Sequence, residues 1–450
     1  MSRQAFTFRT AQGVWVNDMR NRALSHQSWP CVTLDDSAVR DLAACMRLQA
    51  AAGFNSVTLF GLFAAHSWDP DIPRTVDRER AERVRGVLAE ARACGLRVIY
   101  GLGVYSWGFD AIIAHDAAVR GPNPHAMCGS RPESWQWMQR ILDYLLAEFG
   151  FDGFHLEAAD LGRCSCSACA PESNTAYYSR LNAQTAAYIR KARPDAVTMV
   201  NLCGYLSRGA TVPNHDWRHL YELGRHLDFL VDPGHRGHFI APTARREFIQ
   251  GLPCAFGTSG GVWVYPPQRW HRLRWFLPYT ARTGRHLEDL YADGGRAVEY
   301  YMGPVANPAT EVNIAFGGRK LTDVGRDNRE VLGEVLDELY QPLNRAAGRQ
   351  LVHVFTEAEE AFFADPSPAL PDDGRSRGQI HLSPLVGVQP GEPIYLQNSM
   401  TAAGRAAYGR RLEGLLPVVA GLEQACGSRV RVRRIAGAIR GTLADIARTR

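Results

Sequence analysis

Residues 134–157 read SWQWMQRILDYLLAEFGFDGFHLE, and the fold is decided here. The first part is an amphipathic helical run, and Gly150 falls just past it, where a glycine is expected to close a helix. FDGFHLE then reads as a short apolar strand. Alternation along it puts His155 and Glu157 on one face and Phe154 and Leu156 on the other.

The same unit recurs outward in both directions. Apolar runs stand at 55–63, 96–105, 151–157, 196–204, 227–232, 254–261 and 297–303, with a weaker one at 13–19 as the first. Helical stretches at 35–53, 79–95, 134–150 and 175–192 lie between them, and Gly53 and Gly95 repeat the closing glycine. Eight strands alternating with helices predict an α/β protein, a (β/α)8 TIM barrel, over residues 1–305. The rival is an open eight-stranded α/β sheet. No GxGxxG follows the first strand, so a dinucleotide fold has no support.

Residues 306–450 change character. A helix is expected within 310–345, a Pro-, Asp- and Gly-rich connection over 364–395, and a helical pair at about 401–425 and 430–447. This region reads as a helical C-terminal extension packed on the barrel. The 450 residues, 46% hydrophobic and 22% charged, supply a large core and exclude a disordered chain. The formal charge of +5 is local: residues 427–450 hold seven Arg against one acid, leaving the rest near −1. No basic face for nucleic acid follows from that. The Arg-rich end reads as a solvated face or a subunit contact, the latter making the protein a homodimer. With no leader pattern and no 18-residue apolar run, the expected location is cytoplasmic, without a membrane partner.

On a barrel, chemistry sits at the C-terminal ends of strands. Glu157 ends the fourth strand and is the strongest catalytic candidate. Asp232 ends the sixth, and Asp160 follows Glu157 by three residues. Two carboxyl groups across a gap suit glycosidic hydrolysis, one protonating the leaving oxygen while the other attacks or activates water. Candidate substrate-binding groups at strand ends are His66, Trp68, Tyr105, Trp107, His155, Asn201, Tyr205, His235, Trp263, Tyr265 and Glu299. Aromatic faces beside hydrogen-bonding groups are what a sugar ring needs.

Cys164, Cys166 and Cys169 lie within six residues just after the Glu157 strand. Cys128, on the loop after the neighbouring third strand, would supply a fourth thiolate for a structural zinc. Three reduced thiols or an iron–sulfur cluster are the alternatives. No cofactor is expected for catalysis.

Three segments carry a resemblance: NPHAMCGSRPESWQWM (123–138), FDGFHLEAADLGRCSCSAC (151–169) and EVNIAFGGRKLTDVGRDNREVLGEVLDELYQP (311–342). They resemble the fourth-strand segment and helical C-terminal region of the α-glucuronidase family (family 67) and related uncharacterised proteins. The similarity to the family 20 hexosaminidases is looser, because His-Leu-Glu replaces their Asp-Glu pair. The likeness spans roughly residues 50–345. It implies a carbohydrate substrate, with Glu157 as general acid and, more loosely, Asp232 as nucleophile or base. A sugar-active lyase, isomerase or transglycosidase with His155 as base, or a non-catalytic carbohydrate-binding barrel, stand as alternatives.

Overall fold

The computed structural model describes residues 4–12, 34, 36–59, 67–157, 162–202, 205, 212–232, 240, 243–259, 276–301, 307–364 and 401–447. Its strands are β1 (Phe8–Gln12), β2 (Ser56–Leu59), β3 (Arg97–Gly103), β4 (Gly153–Glu157), β5 (Val197–Asn201), β6 (Phe229–Asp232), β7 (Ala255–Ser259) and β8 (Ala297–Tyr301). They pair in parallel, each with the next, and β8 closes on β1. Following the registers once round the ring returns to β1 eight residues displaced, the shear of the barrel expected from the sequence.

Two cores follow from strand alternation. Phe8, Ile99, Val197, Met199, Phe229, Val231, Ala255 and Ala297 pack together inside the ring. Val98, Tyr100, Leu102, Phe154, Leu156, Val200, Leu230, Phe256 and Val298 instead join the larger core beneath the helices. The parity of every strand is thereby known, and with it the direction of each polar side chain.

The first strand is a correction. It lies at Phe8–Gln12, ahead of the 13–19 run, which falls among residues 13–33 outside the described structure. FRTAQ lacks an apolar alternation because its inward Thr10 is polar and hydrogen-bonds Ser56 Oγ at 2.7 Å. Its Arg9 turns outward, donating to Gly53 O at 2.7 Å.

The helices of the ring are α1 (Asp36–Ala52), α2 (Arg78–Ala93), a short α3 (Asp110–His115), α4 (Pro132–Glu148), α5 (Asn174–Ala192), α6 (Trp217–Gly224), α7 (Arg245–Gly251) and α8 (Thr280–Ala292). Gly53, Gly95 and Gly150 take φ of 104°, 74° and 60°, the left-handed closure a side chain would resist. The next helix, α9 (Pro308–Thr322), packs against both α1 and α8. With the short α3 counted as part of the β3–α4 connection, it is the eighth helix of the ring, which therefore runs on to Thr322, beyond residue 305. A Cβ on Gly318 would meet the backbone of Ala52 at 2.5 Å, and that absence of side chain lets α9 approach α1.

Beyond the ring come α10 (Asn328–Tyr340), α11 (Arg345–Phe363), α12 (Ala402–Ala425) and α13 (Arg429–Ala447). Three of them, α11, α12 and α13, join Asn313 of α9 in gripping one stretch of backbone. Phe276 N–H donates to Thr442 Oγ1 and Phe276 O accepts from Tyr408 OH; Tyr279 N–H donates to Asn313 Oδ1. Glu359, buried on α11, accepts from the N–H groups of Thr280, Ala281 and Arg282 at the start of α8. The Arg-rich α13 is not wholly a solvated face. Arg431 makes a forked pair with Glu311, and Arg433 reaches Glu423 at 3.3 Å. Among the described residues no helix is long and apolar enough to cross a membrane.

Candidate active site and cysteine cluster

The registers place Thr58, His155, Val231 and Glu299 at one level inside the barrel, one from each even-numbered strand. His155 and Glu299 therefore face each other from β4 and β8. Glu157, two residues further along β4, stands above them at the C-terminal end. His155 Nε2 lies 2.6 Å from Glu157 Oε2, and its Nδ1 lies 2.9 Å from Glu299 Oε1. Asn201 Nδ2 donates to the other Glu299 oxygen at 2.9 Å. His155 and Glu299 are fully buried, whereas Glu157 keeps 6% of its surface exposed.

Burial alone would strip the proton from His155. The charge of Glu299 and the hydrogen bonds to both carboxylates outweigh it and raise the imidazolium to about 10. The group is thus a chain of four polar side chains running from the strand ends into the barrel, with a cation between two carboxylates.

Asp232 is not part of it. Val231 belongs to the inner core, so Asp232 alternates to the helix-facing side with Leu230, and its Oδ2 accepts the Ile240 N–H at 3.2 Å. The strand-end position suggested the mouth; the strand parity turns the side chain away from it.

Most of the expected aromatic lining also separates, although Tyr205, whose phenol is raised by burial, stays near enough to Glu157 for that carboxylate to add to the effect. Trp68, Tyr105 and Tyr205 are buried at 3% exposure or less in the helix-facing core, and Tyr205 OH accepts from Asn182 Nδ2 at 2.6 Å. Trp107 is half-buried against the same core. Tyr105 and Trp107 both hold φ near +70°, at 64° and 71°, a backbone conformation costing about 1–3 kcal/mol for each non-glycine residue. This strained turn follows β3, where a Cβ on Gly103 would collide with the Trp107 side chain. His66, Asp160, His235, Trp263 and Tyr265 lie outside the described residues.

The four cysteines do come together. Cys128 Sγ is 3.6 Å from Cys166 Sγ and 3.9 Å from Cys169 Sγ, and all four sulfurs, including Cys164, lie within 4.8 Å of one another. They form a group able to hold a metal ion. Burial pushes the Cys164 and Cys169 thiols up. Cys166 is held down to about 6, chiefly by the Cys169 backbone N–H. Arg163 stitches this loop, donating to Cys169 O at 2.8 Å, Glu172 O at 2.6 Å and Asn174 Oδ1 at 2.8 Å.

The pairing of His155 with Glu299 was not predicted, although both residues were. The available signal was the inward polar residue in strand after strand: Thr10, Thr58, His155, Asn201 and Glu299.

Searches with protein-family models and among curated proteins find no match. Solved structures do share the fold. A GH138 enzyme targeting pectin rhamnogalacturonan II superposes with a TM-score of 0.64 at 9% identity; the match covers 99% of this chain and 57% of that one. CpGH84B matches with a TM-score of 0.51 at 7% identity, over 98% of this chain and 68% of its own. CpGH84D gives 0.50 at 11% identity, over 90% and 61%. The chain thus spans little more than half of the GH138 enzyme, and the likeness is one of fold.

Proposed function

We propose that the protein is a glycoside hydrolase that cleaves an O-glycosidic bond, with Glu157 as general acid. The observation carrying this reading is the Glu157–His155–Glu299–Asn201 chain at the strand ends of a closed barrel. The fold shared with GH138 and GH84 proteins supports it. The proton that reaches the leaving oxygen, as the bond to the anomeric carbon breaks, is the one the Glu157 carboxylate shares with the His155 imidazolium. It passes from Nε2, 2.6 Å behind, through the Glu157 carboxyl to the leaving oxygen, while Glu299 holds the ring through Nδ1. Water then supplies a hydroxyl to the anomeric carbon and a proton to restore the chain.

Glu299 is a positioning residue in this scheme, since both its oxygens are engaged below the strand ends. With Asp232 turned outward, the sequence leaves Asp160 as the candidate for the opposing carboxylate, which attacks or activates water. Both nitrogens of His155 are occupied by carboxylates, which speaks against the elimination chemistry that would use it as a free base. The carboxyl groups need no cofactor, and a zinc ion on the four thiols would serve structure alone.

The test is Glu157→Gln against a panel of alkyl and nitrophenyl glycosides. Turnover of alkyl glycosides is expected to fall about 10²–10⁴-fold, with a much smaller loss for nitrophenyl leaving groups and an unchanged circular dichroism spectrum. Full activity on alkyl glycosides would sink the assignment.

A further inference from the structure

We propose that Cys128, Cys164, Cys166 and Cys169 bind one zinc ion in a closed tetrahedral thiolate site, fastening the loop after β4 to the loop that enters α4. The inference is independent of the hydrolytic reading and goes beyond it.

Geometry is the first argument. A zinc–sulfur bond of about 2.3 Å makes each edge of a tetrathiolate tetrahedron about 3.8 Å. The two Cys128 edges, at 3.6 and 3.9 Å, bracket that length. A cluster of several irons would spread four thiolates around a larger body, whereas these lie within 4.8 Å of one another. Four thiolates leave no open position for substrate or water, so the ion would be structural.

The surroundings are those of a built site. Cys128, Cys164 and Cys169 have at most 1% exposure. Gly121 presses on the Cys164 sulfur so closely that a Cβ there would displace it. Cys128 is held by its N–H to Val119 O at 2.8 Å, and Cys169 by its N–H to Cys166 O at 3.0 Å. Arg163 binds the Cys169 carbonyl, and its guanidinium lies 4.8 Å from the Tyr177 ring centroid. Tyr177 OH in turn accepts the Gly129 N–H at 3.2 Å, next to Cys128. Both loops thus reach the sulfurs already braced, as outer partners of metal ligands are.

The experiment uses the full chain, purified under reducing conditions. Elemental analysis is expected to find one zinc per chain. Cobalt added to metal-stripped protein should give the intense thiolate charge-transfer bands of a tetrahedral tetrathiolate site. Cys164→Ser is expected to abolish stoichiometric zinc, Arg163→Gln to weaken its retention about tenfold, and Cys254→Ser, remote from the cluster, to leave it unchanged. A folded wild-type chain that carries no stoichiometric metal and takes up neither zinc nor cobalt overturns the proposal. So does stoichiometric iron in place of zinc. Both decisive readouts come from the wild-type chain, so a variant that fails to fold does not blunt them.

Discussion

His155 keeps its proton in the folded chain up to about 10, against 6.5 without the fold, because two carboxylates share it. Its contribution to stability is therefore fully present below about pH 6.5 and is lost as the pH rises towards 10. His155→Gln, which leaves Glu299 buried without its cation, should cost about 3–5 kcal/mol near pH 6. The gap in denaturation midpoint between wild type and variant should then narrow steadily up to about pH 10. A gap that holds constant or widens would refute the charged pairing. Glu157 was legible in the sequence because a polar residue ended an otherwise apolar strand. Its link to Glu299 was not, because β4 and β8 meet only through the barrel interior and a shared level depends on the shear. Asp232 misled for a related reason: ending a strand says nothing about parity, and the neighbouring Val231 had already taken the inward place.

Glu359 shows how one element can depend on another far along the chain. Its carboxylate takes three backbone N–H groups at the start of α8, plus the Thr280 hydroxyl at 3.1 Å. Glu359→Ala would leave those donors buried and remove a negative charge from the positive end of a helix dipole. The expected loss is about 3 kcal/mol, read from chemical denaturation, with Glu359→Gln retaining part of it. A change below measurement error would mean that water replaces the cap. The helices α1, α2 and α4 were legible because periodic apolar runs ended at glycines, and α5 was legible from its periodic run alone. By contrast α11 was not identified, although Asn344 caps it and Leu351, Val354, Phe355, Ala358 and Phe362 form its buried stripe. The β1 strand escaped because its inward side chain serves the polar interior.

At the scale of the molecule the barrel could be read because seven of the eight strand-like runs fall on strands, with helical stretches between them. Where the ring ends could not be read, since α9 has the same composition whether it closes a ring or starts an appendage. Contacts with α1 and α8 decide it. The backbone around residues 276–282 adds a consequence for how the protein is made. Its partners are Asn313, Glu359, Tyr408 and Thr442, and the last of these lies 166 positions beyond Phe276. The seventh β–α unit therefore has its hydrogen bonds completed only once α13 has been synthesised. Nascent chains stalled before Thr442 emerges should remain open to protease near residues 276–282, and released chains should close. Equal protection in both would mean that the barrel matures vectorially, without waiting for α13.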